Sequence, residues 1–289
     1  MASTAAAGRG RVATGRWTWW RGALVHGALL AYSALALFPV LLVIINSFKS
    51  RRAIFADPYS LPTAETFDLV GYRTLAQHAN FPLYFLNSLV VTIAALFLIL
   101  WVSSMAAHAL AEYEFRGNTV MSLYLAVGIM VPIRLGTVGL LELMSKLGLV
   151  DTLWSLILVY TAQGIPLAVF VLTQHMRQLP RELKDAARID GASEYRIYWL
   201  MLPLARPALG TVAAISLLPI WNDLWFALIL APGERTKTLI LGTQVFLGQF
   251  VNDWNAVLAA LSLSIVPAVV LYVIFSRQLI RGLMAGSIK

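Results

Sequence analysis

Two sets of residues in this sequence could do chemistry. The first lies in Pro180–Pro207, which reads PRELKDAARIDGASEYRIYWLMLPLARP. Glu182, Asp185 and Asp190 alternate there with Arg181, Lys184 and Arg188, while Ala186, Ala187, Gly191 and Ala192 are small. Charges in such a stretch can pair with a partner, and the small residues allow another backbone to come close. The plainer alternative is a solvated loop, and the small-residue face weighs against it. The second set is Arg134 and Asp223, ionisable groups inside long apolar runs, with Trp221 and Asn222 beside Asp223. Ionisable groups in apolar runs are costly and mark functional positions by default. Either can hydrogen-bond a hydroxyl-rich solute, or the two can pair with each other or with backbone as structural glue. Trp221, Trp225 and Phe226 offer rings for stacking, although tryptophan in membrane helices commonly marks an interface.

Other chemistry is poorly provided for. The chain has no cysteine, so a disulfide, a thiolate metal site and a cysteine nucleophile are excluded. Its four histidines are scattered without metal-ligand spacing, and His26, His108 and His175 fall near the ends of apolar runs, where interfacial positions are expected. No Gly-x-x-x-x-Gly-Lys-Ser/Thr phosphate loop is present, so the chain is not itself a nucleotide hydrolase of that type. Asp223 and Glu142 stand alone, without the convergent acid, base or metal that a membrane enzyme would need. No catalytic and no metal-binding residue is therefore expected.

These residues must be positioned by elements that lipid can accept. Of the 289 residues, 59% are hydrophobic and 12% charged, against about 25% charged in average soluble domains. Too few charged side chains exist to cover a water-facing surface of that size. Six runs approach the roughly 20 apolar residues that a spanning helix needs: Ala23–Ile45, Ser88–Ala111, Val120–Leu141, Leu153–Leu172, Ala208–Ala231 and Val257–Phe275. None alternates polar with apolar residues, so helices rather than barrel strands are expected. Pro132, Pro166, Pro219 and Pro267 lie inside four of the runs and Pro39 near the end of the first, which suits kinked helices around a cavity.

Charge sets the orientation. With the N-terminus inside, 14 lysines and arginines fall on inner segments, seven on outer segments and Arg134 within a span. The excess places both termini in the cytoplasm. The net charge of +8 then records cytoplasmic loops, not nucleic-acid binding. Residues 1–20 read as a cytoplasmic tail that is disordered at its start, with no cleavable signal. Residues 21–280 form the six-span unit, and residues 281–289 a cytoplasmic tail. Ser47–Asn87 is expected as an ordered external loop, and residues 174–206 as a cytoplasmic loop. Trp17, Trp19 and Trp20 are expected at the inner interface and Trp254 at the outer one.

Within the cytoplasmic loop, Pro180 can open a helix, because proline at the first helical position loses no hydrogen bond. Glu182 suits that helix's N-terminal dipole. Gly191 ends the helix in a left-handed turn. A second short helix runs from Ala192 to Leu202 before Pro203 and Pro207 break it. Lipid-facing spans carrying a short helix–turn–helix on one face are thus expected from physics alone.

The same stretch closely resembles the cytoplasmic signature of binding-protein-dependent ABC importer permeases. That signature reads Glu-Ala-Ala, three residues, Gly, then nine residues on an Ile-x-Leu-Pro. Asp185-Ala186-Ala187, Asp190-Gly191-Ala192 and Leu202-Pro203-Leu204 occupy its positions, with Asp185 keeping the usual charge on a shorter side chain. The resemblance extends over nearly the whole chain. Ser47-Phe48-Lys49, Asn87-Ser88-Leu89, Phe115-Arg116-Gly117, Met130-Val131-Pro132, Leu147-Gly148-Leu149 and Trp221-Asn222-Asp223 are similar to the carbohydrate-uptake permeases, as is the tail Arg281–Gly286. The best match is the subfamily that includes the second membrane subunit of the maltose importer.

The resemblance implies an all-α membrane protein of six transmembrane helices, with a short cytoplasmic coupling helix between the fourth and fifth. It implies a permease subunit that pairs with a second, homologous permease in the inner membrane of a prokaryote. Two ATPase subunits beneath bind ATP and magnesium, and this chain holds no cofactor. An external solute-binding protein delivers a sugar, of di- or oligosaccharide size. Glu182, Asp185, Ala186, Ala187, Asp190, Gly191 and Ala192 would couple to an ATPase, and Arg134, Trp221, Asn222 and Asp223 would lie on the translocation path. An ion-driven secondary transporter is the alternative class. It would show inverted repeats and paired midplane charges, and no convincing repeat is found. A permease for a polyol or glycerol phosphate is the alternative within the family.

Overall fold

A computed structural model describes residues 17–78, 80–247 and 253–285. The stretch expected to be disordered at the N-terminus lies outside the described residues, as do the last four positions of the C-terminal tail. Among the described residues there is no strand, only an isolated antiparallel bridge between Lys49 and Phe67.

The helices, in chain order, are α1 (Trp17–Ser47), α2 (Arg51–Ala56), α3 (Val70–His78), α4 (Phe81–Glu112), α5 (Asn118–Met130), α6 (Thr137–Lys146), α7 (Leu153–Met176), α8 (Arg181–Ile189), α9 (Glu194–Met201), α10 (Arg206–Trp221), α11 (Trp225–Leu230), α12 (Leu239–Thr243) and α13 (Trp254–Ala285). All six apolar runs fall on helices. Within α1, α4 and α7 the segments Gly22–Ser47, Phe81–Glu112 and Leu153–Met176 are each long and apolar enough to cross a bilayer unbroken. The sixth run lies in α13, whose apolar part is Trp254–Val270.

Two of the proline-containing runs are broken outright, beyond the kinks expected of them. The run Val120–Leu141 breaks after Met130, and α5 meets the following segment at 87°. Proline disfavours a helical conformation in the residue before it. Val131 is accordingly extended, at φ −75° and ψ 118°. With 13 residues, α5 is only about 20 Å long, short of a roughly 30 Å hydrocarbon core. The run Ala208–Ala231 likewise stops at Trp221, and α11 resumes only at Trp225. Pro39, Pro166 and Pro267 sit inside unbroken helices. A proline therefore permits a break here without dictating one.

The core is built on α4 and α7, with α10 and α11 against them. Gly164 on α7 lets the two backbones approach: a Cβ there would collide with Ile99 Cδ1 of α4. A second cluster joins Leu75 of α3 to Ala256, Val257, Ala259 and Ala260 of α13. Leu24, Leu30, Leu35 and Leu41 of α1 are exposed, as befits a lipid-facing helix.

The region Ser47–Asn87 is an ordered cap, and it contains helices. Lys49 is fully buried. Its Nζ donates to Asp57 O at 2.9 Å and to Ser60 Oγ at 3.3 Å. Its carbonyl accepts from Asn255 Nδ2 at 2.7 Å, which ties the cap to α13. His108, expected at an interface, is buried instead between the rings of Tyr113 and Tyr198.

Candidate functional site

The two helix breaks meet. A cavity of about 360 Å³ opens between them, lined by Arg134, Tyr160, Gln163, Asn222, Asp223 and Phe226 among others. Asp223 follows the end of α10, and its carboxylate organises the break. Oδ2 accepts from Tyr160 Oη at 2.8 Å and from the Phe226 backbone N–H, also at 2.8 Å. The second of these bonds satisfies an orphan donor at the start of α11. Oδ1 faces the Arg134 guanidinium at 3.9 Å. The Asp223 side chain is 9% exposed, whereas that of Arg134 is 68% exposed. Arg134 lies in a 3₁₀ turn, Ile133–Gly136, and not in the interior of a helix. A contact that long and that exposed contributes well under about 1 kcal/mol. Among the described residues this carboxylate is the guanidinium's one ion-pair partner, which leaves most of its five donors available to a ligand.

Asn222 is exposed beside Asp223, and its Nδ2 donates to Leu218 O at 3.1 Å. Trp221 goes elsewhere. Its ring is 2% exposed, and its Nε1 donates to Ser264 O of α13 at 3.2 Å. Trp221 thus pins α10 to α13 and does not line this cavity. Phe226 does line it, and Trp225 Nε1 donates to Thr137 Oγ1 at 3.0 Å. The cavity offers exposed donors and acceptors inside apolar spans. That arrangement can hold a polyhydroxylated solute without reacting with it.

The other candidate residues form a compact helix–turn–helix at the end of the bundle where α4 and α7 finish. Pro180 is the N-cap and α8 begins one residue later, at Arg181. Gly191 has φ 74°, the left-handed conformation expected for it. Its N–H donates to Arg188 O at 3.0 Å, and Ala192 N donates to Ala187 O at 2.9 Å. These are the two hydrogen bonds of a Schellman C-cap. Glu182, Asp185, Ala186, Asp190 and Gly191 are exposed, and Ala187 and Ala192 partly so. Ile189 at the tip is 86% exposed, with Leu183 and Tyr195 also open. Asp185 pairs within its own helix, with Arg188 Nη1 at 3.3 Å.

Sequence reasoning missed the residues that hold this unit to the spans. Glu112, the last residue of α4, forms ion pairs with Lys184 and, at 2.6 Å, with Arg188. Arg188 Nε also meets Glu194 Oε1 at 3.1 Å, and Tyr113 Oη donates to Glu194 at 2.6 Å. Hydrogen bonds from Arg188 and Tyr113 hold the Glu194 carboxyl below its usual range. Burial and the bond to Glu194 push the Tyr113 phenol up to about 12. Glu112 lies 72 residues from Lys184 and 76 from Arg188 in sequence, so no local spacing pointed to them. Among the described residues, no group of three His, Cys, Asp or Glu side chains could hold a metal ion.

Comparison with known proteins places this geometry. Residues 99–284 match the family of binding-protein-dependent transport system inner membrane components. The diacetylchitobiose uptake system permease protein NgcG of Streptomyces coelicolor is 32% identical over 270 residues, which cover 92% of this chain and 89% of the relative. The trehalose/maltose transport system permease protein MalG of Thermococcus litoralis is 30% identical over 278 residues, covering 92% and 96%. A crystal structure of a bacterial ABC transporter involved in import of the acidic polysaccharide alginate contains a chain of the same fold. The match has a TM-score of 0.78 at 21% identity and covers 91% of this chain and 98% of that one. The chain therefore belongs to the family of binding-protein-dependent ABC transporter permeases of the inner membrane.

Proposed function

We propose that this chain forms half of the membrane pathway of an ATP-driven importer for a sugar, of di- or oligosaccharide size. Relatives named for diacetylchitobiose and for trehalose and maltose support the substrate class. The observation that carries the reading is the cavity at the paired helix breaks. Its volume of about 360 Å³ and its free Arg134 donors suit a hydroxyl-rich solute. A volume in the range of about 300–1,000 Å³ is usual for ligand sites. A second, homologous permease completes the pathway, and an external solute-binding protein supplies it. ATP and magnesium bind two partner ATPases, each taking up a short helix equivalent to α8. Arg134, Asn222 and Asp223 lie on the path in this reading, and Trp221 supports it from behind.

Reconstitution tests the assignment. In liposomes this chain alone is expected to transport nothing, because one permease supplies half a pathway. Uptake should appear only with the second permease, both ATPase copies, ATP and the loaded binding protein. Ion-driven uptake by this chain alone would overturn the reading. ATP-driven uptake confined to a polyol or a glycerol phosphate would overturn the sugar assignment alone.

Orientation has its own test. Both termini and α8 are cytoplasmic in this reading, and the cap Ser47–Asn87 is external. Because the chain has no cysteine, single cysteines report cleanly. A membrane-impermeant thiol reagent should label intact cells at Asp68→Cys and not at Glu194→Cys. The reverse pattern would invert the topology and exclude an importer.

A further inference from the structure

Glu112 lines neither the cavity between the helix breaks nor the exposed face of α8, yet it joins the two regions. Its carboxylate is 10% exposed and is shared by two cations of α8, Lys184 and Arg188. Lys184 is the one buried residue of α8, whose other residues are exposed apart from the half-buried Ala187. Leu183, Ala186 and Ile189 are exposed, so apolar packing does little to hold α8 in place. Arg188 extends the network to Glu194, which Tyr113 also grips. The acid at the end of α4 therefore fastens α8 and the start of α9 to a single span. Thirteen residues back along that unbroken span, about 20 Å away, Ile99 lines the cavity.

We propose that Glu112 is the positioning residue that passes a displacement of α8 along α4 to the cavity. The proposal rests on the reading of α8 as the ATPase-coupling helix. A buried carboxylate with two partners has little freedom to slip, and removing one member of such a network leaves uncompensated buried charge. The span and the short helix must then move as one body.

The test uses the whole complex and compares Glu112→Gln, Glu112→Lys and the exchange Glu112→Lys with Lys184→Glu. ATPase retention, hydrolysis and sugar uptake are measured together. Glu112→Gln should retain the ATPases, because the exposed face of α8 is unchanged. Hydrolysis should continue, while sugar moved per ATP falls about tenfold, within the range of couplings inside one ion-pair network. The exchange should recover most of what Glu112→Lys loses. A merely structural role would lower assembly without changing the transport-to-hydrolysis ratio. An unchanged ratio in Glu112→Gln, loss of the ATPases from it, or no recovery in the exchange would each overturn the proposal. Gly191→Val in the same assay separates the two ideas. If it and Asp185→Lys both leave transport and stimulated hydrolysis normal, the coupling role of α8 fails. If it abolishes transport while Glu112→Gln stays coupled, the transmission role of Glu112 alone fails.

Discussion

Replacing Gly191 by valine is expected to abolish transport while all six spans still insert. Gly191 has φ 74°, and a Cβ placed on it would meet nothing within 4 Å. The penalty is therefore one of conformation and not of collision. A left-handed backbone costs an ordinary L-residue roughly 1–2 kcal/mol, and a β-branched side chain is worse placed still. Valine would resolve the strain by opening the Schellman cap, which turns α8 and misdirects Ile189 and Asp185. Asparagine tolerates the left-handed region, so Gly191→Asn should keep most of the transport. Asp185→Lys should act differently, by charge alone. Its side chain is 65% exposed and, among the described residues, pairs with Arg188 of its own helix alone, so the fold survives. The ATPases should bind poorly, or hydrolyse ATP without responding to the loaded binding protein. Normal transport and normal stimulated hydrolysis in both Gly191→Val and Asp185→Lys would show that α8 is not the coupling element.

The second large effect is expected at Asp223, with Arg134 as its contrast. Asp223→Ala would strand the hydroxyl of buried Tyr160 and the N–H of buried Phe226. An unsatisfied buried donor costs about 1–3 kcal/mol. Loss of two should lower the thermal midpoint of the detergent-solubilised complex by about 5 °C or more, and should abolish uptake. Asp223→Asn keeps an oxygen acceptor in place and should retain most of the stability. Arg134→Ala removes an exposed side chain whose ion pair spans 3.9 Å, so the complex should assemble with little change in stability. Uptake should still fall, because the solute loses its donors. If Arg134→Ala dismantles the complex instead, the pair is structural glue and the path assignment for Arg134 is wrong. A normal midpoint in Asp223→Ala would show that Tyr160 and Phe226 find other partners.

The two carboxylates illustrate what could be read without coordinates. Asp223 stood out as an ionisable group in an apolar run, but its bonds to Tyr160 and Phe226 and its position at a helix end did not. Adjacency in sequence groups Trp221 with Asn222 and Asp223, yet its ring faces α13. Neighbours in sequence at a helix end point in different directions, and only the packing of α10 between its neighbours decides which ring meets the cavity. Glu112 gave no signal, because an acid just beyond an apolar run reads as an ordinary interfacial charge. Its value comes from Lys184 and Arg188, which a single chain pattern cannot bring to it.

Lipid as the solvent, apolar helical runs long enough to seek it and the turn at Gly191 were legible in the residues alone. All three are local properties. A run of about 20 apolar residues seeks lipid whatever its neighbours, and a Schellman cap needs a left-handed residue whatever lies around it. The tertiary structure decided where spans break, which charges are buried and which rings face the cavity. Four prolines sit in apolar runs, but only the helix at Pro132 breaks at its proline. A proline frees a backbone carbonyl and crowds the preceding turn, and neighbouring groups decide whether the helix bends, breaks or runs on. The ion pairs of Glu112 and the bond from Tyr160 to Asp223 likewise link residues more than sixty positions apart, so they exist only once the helices that carry them have packed.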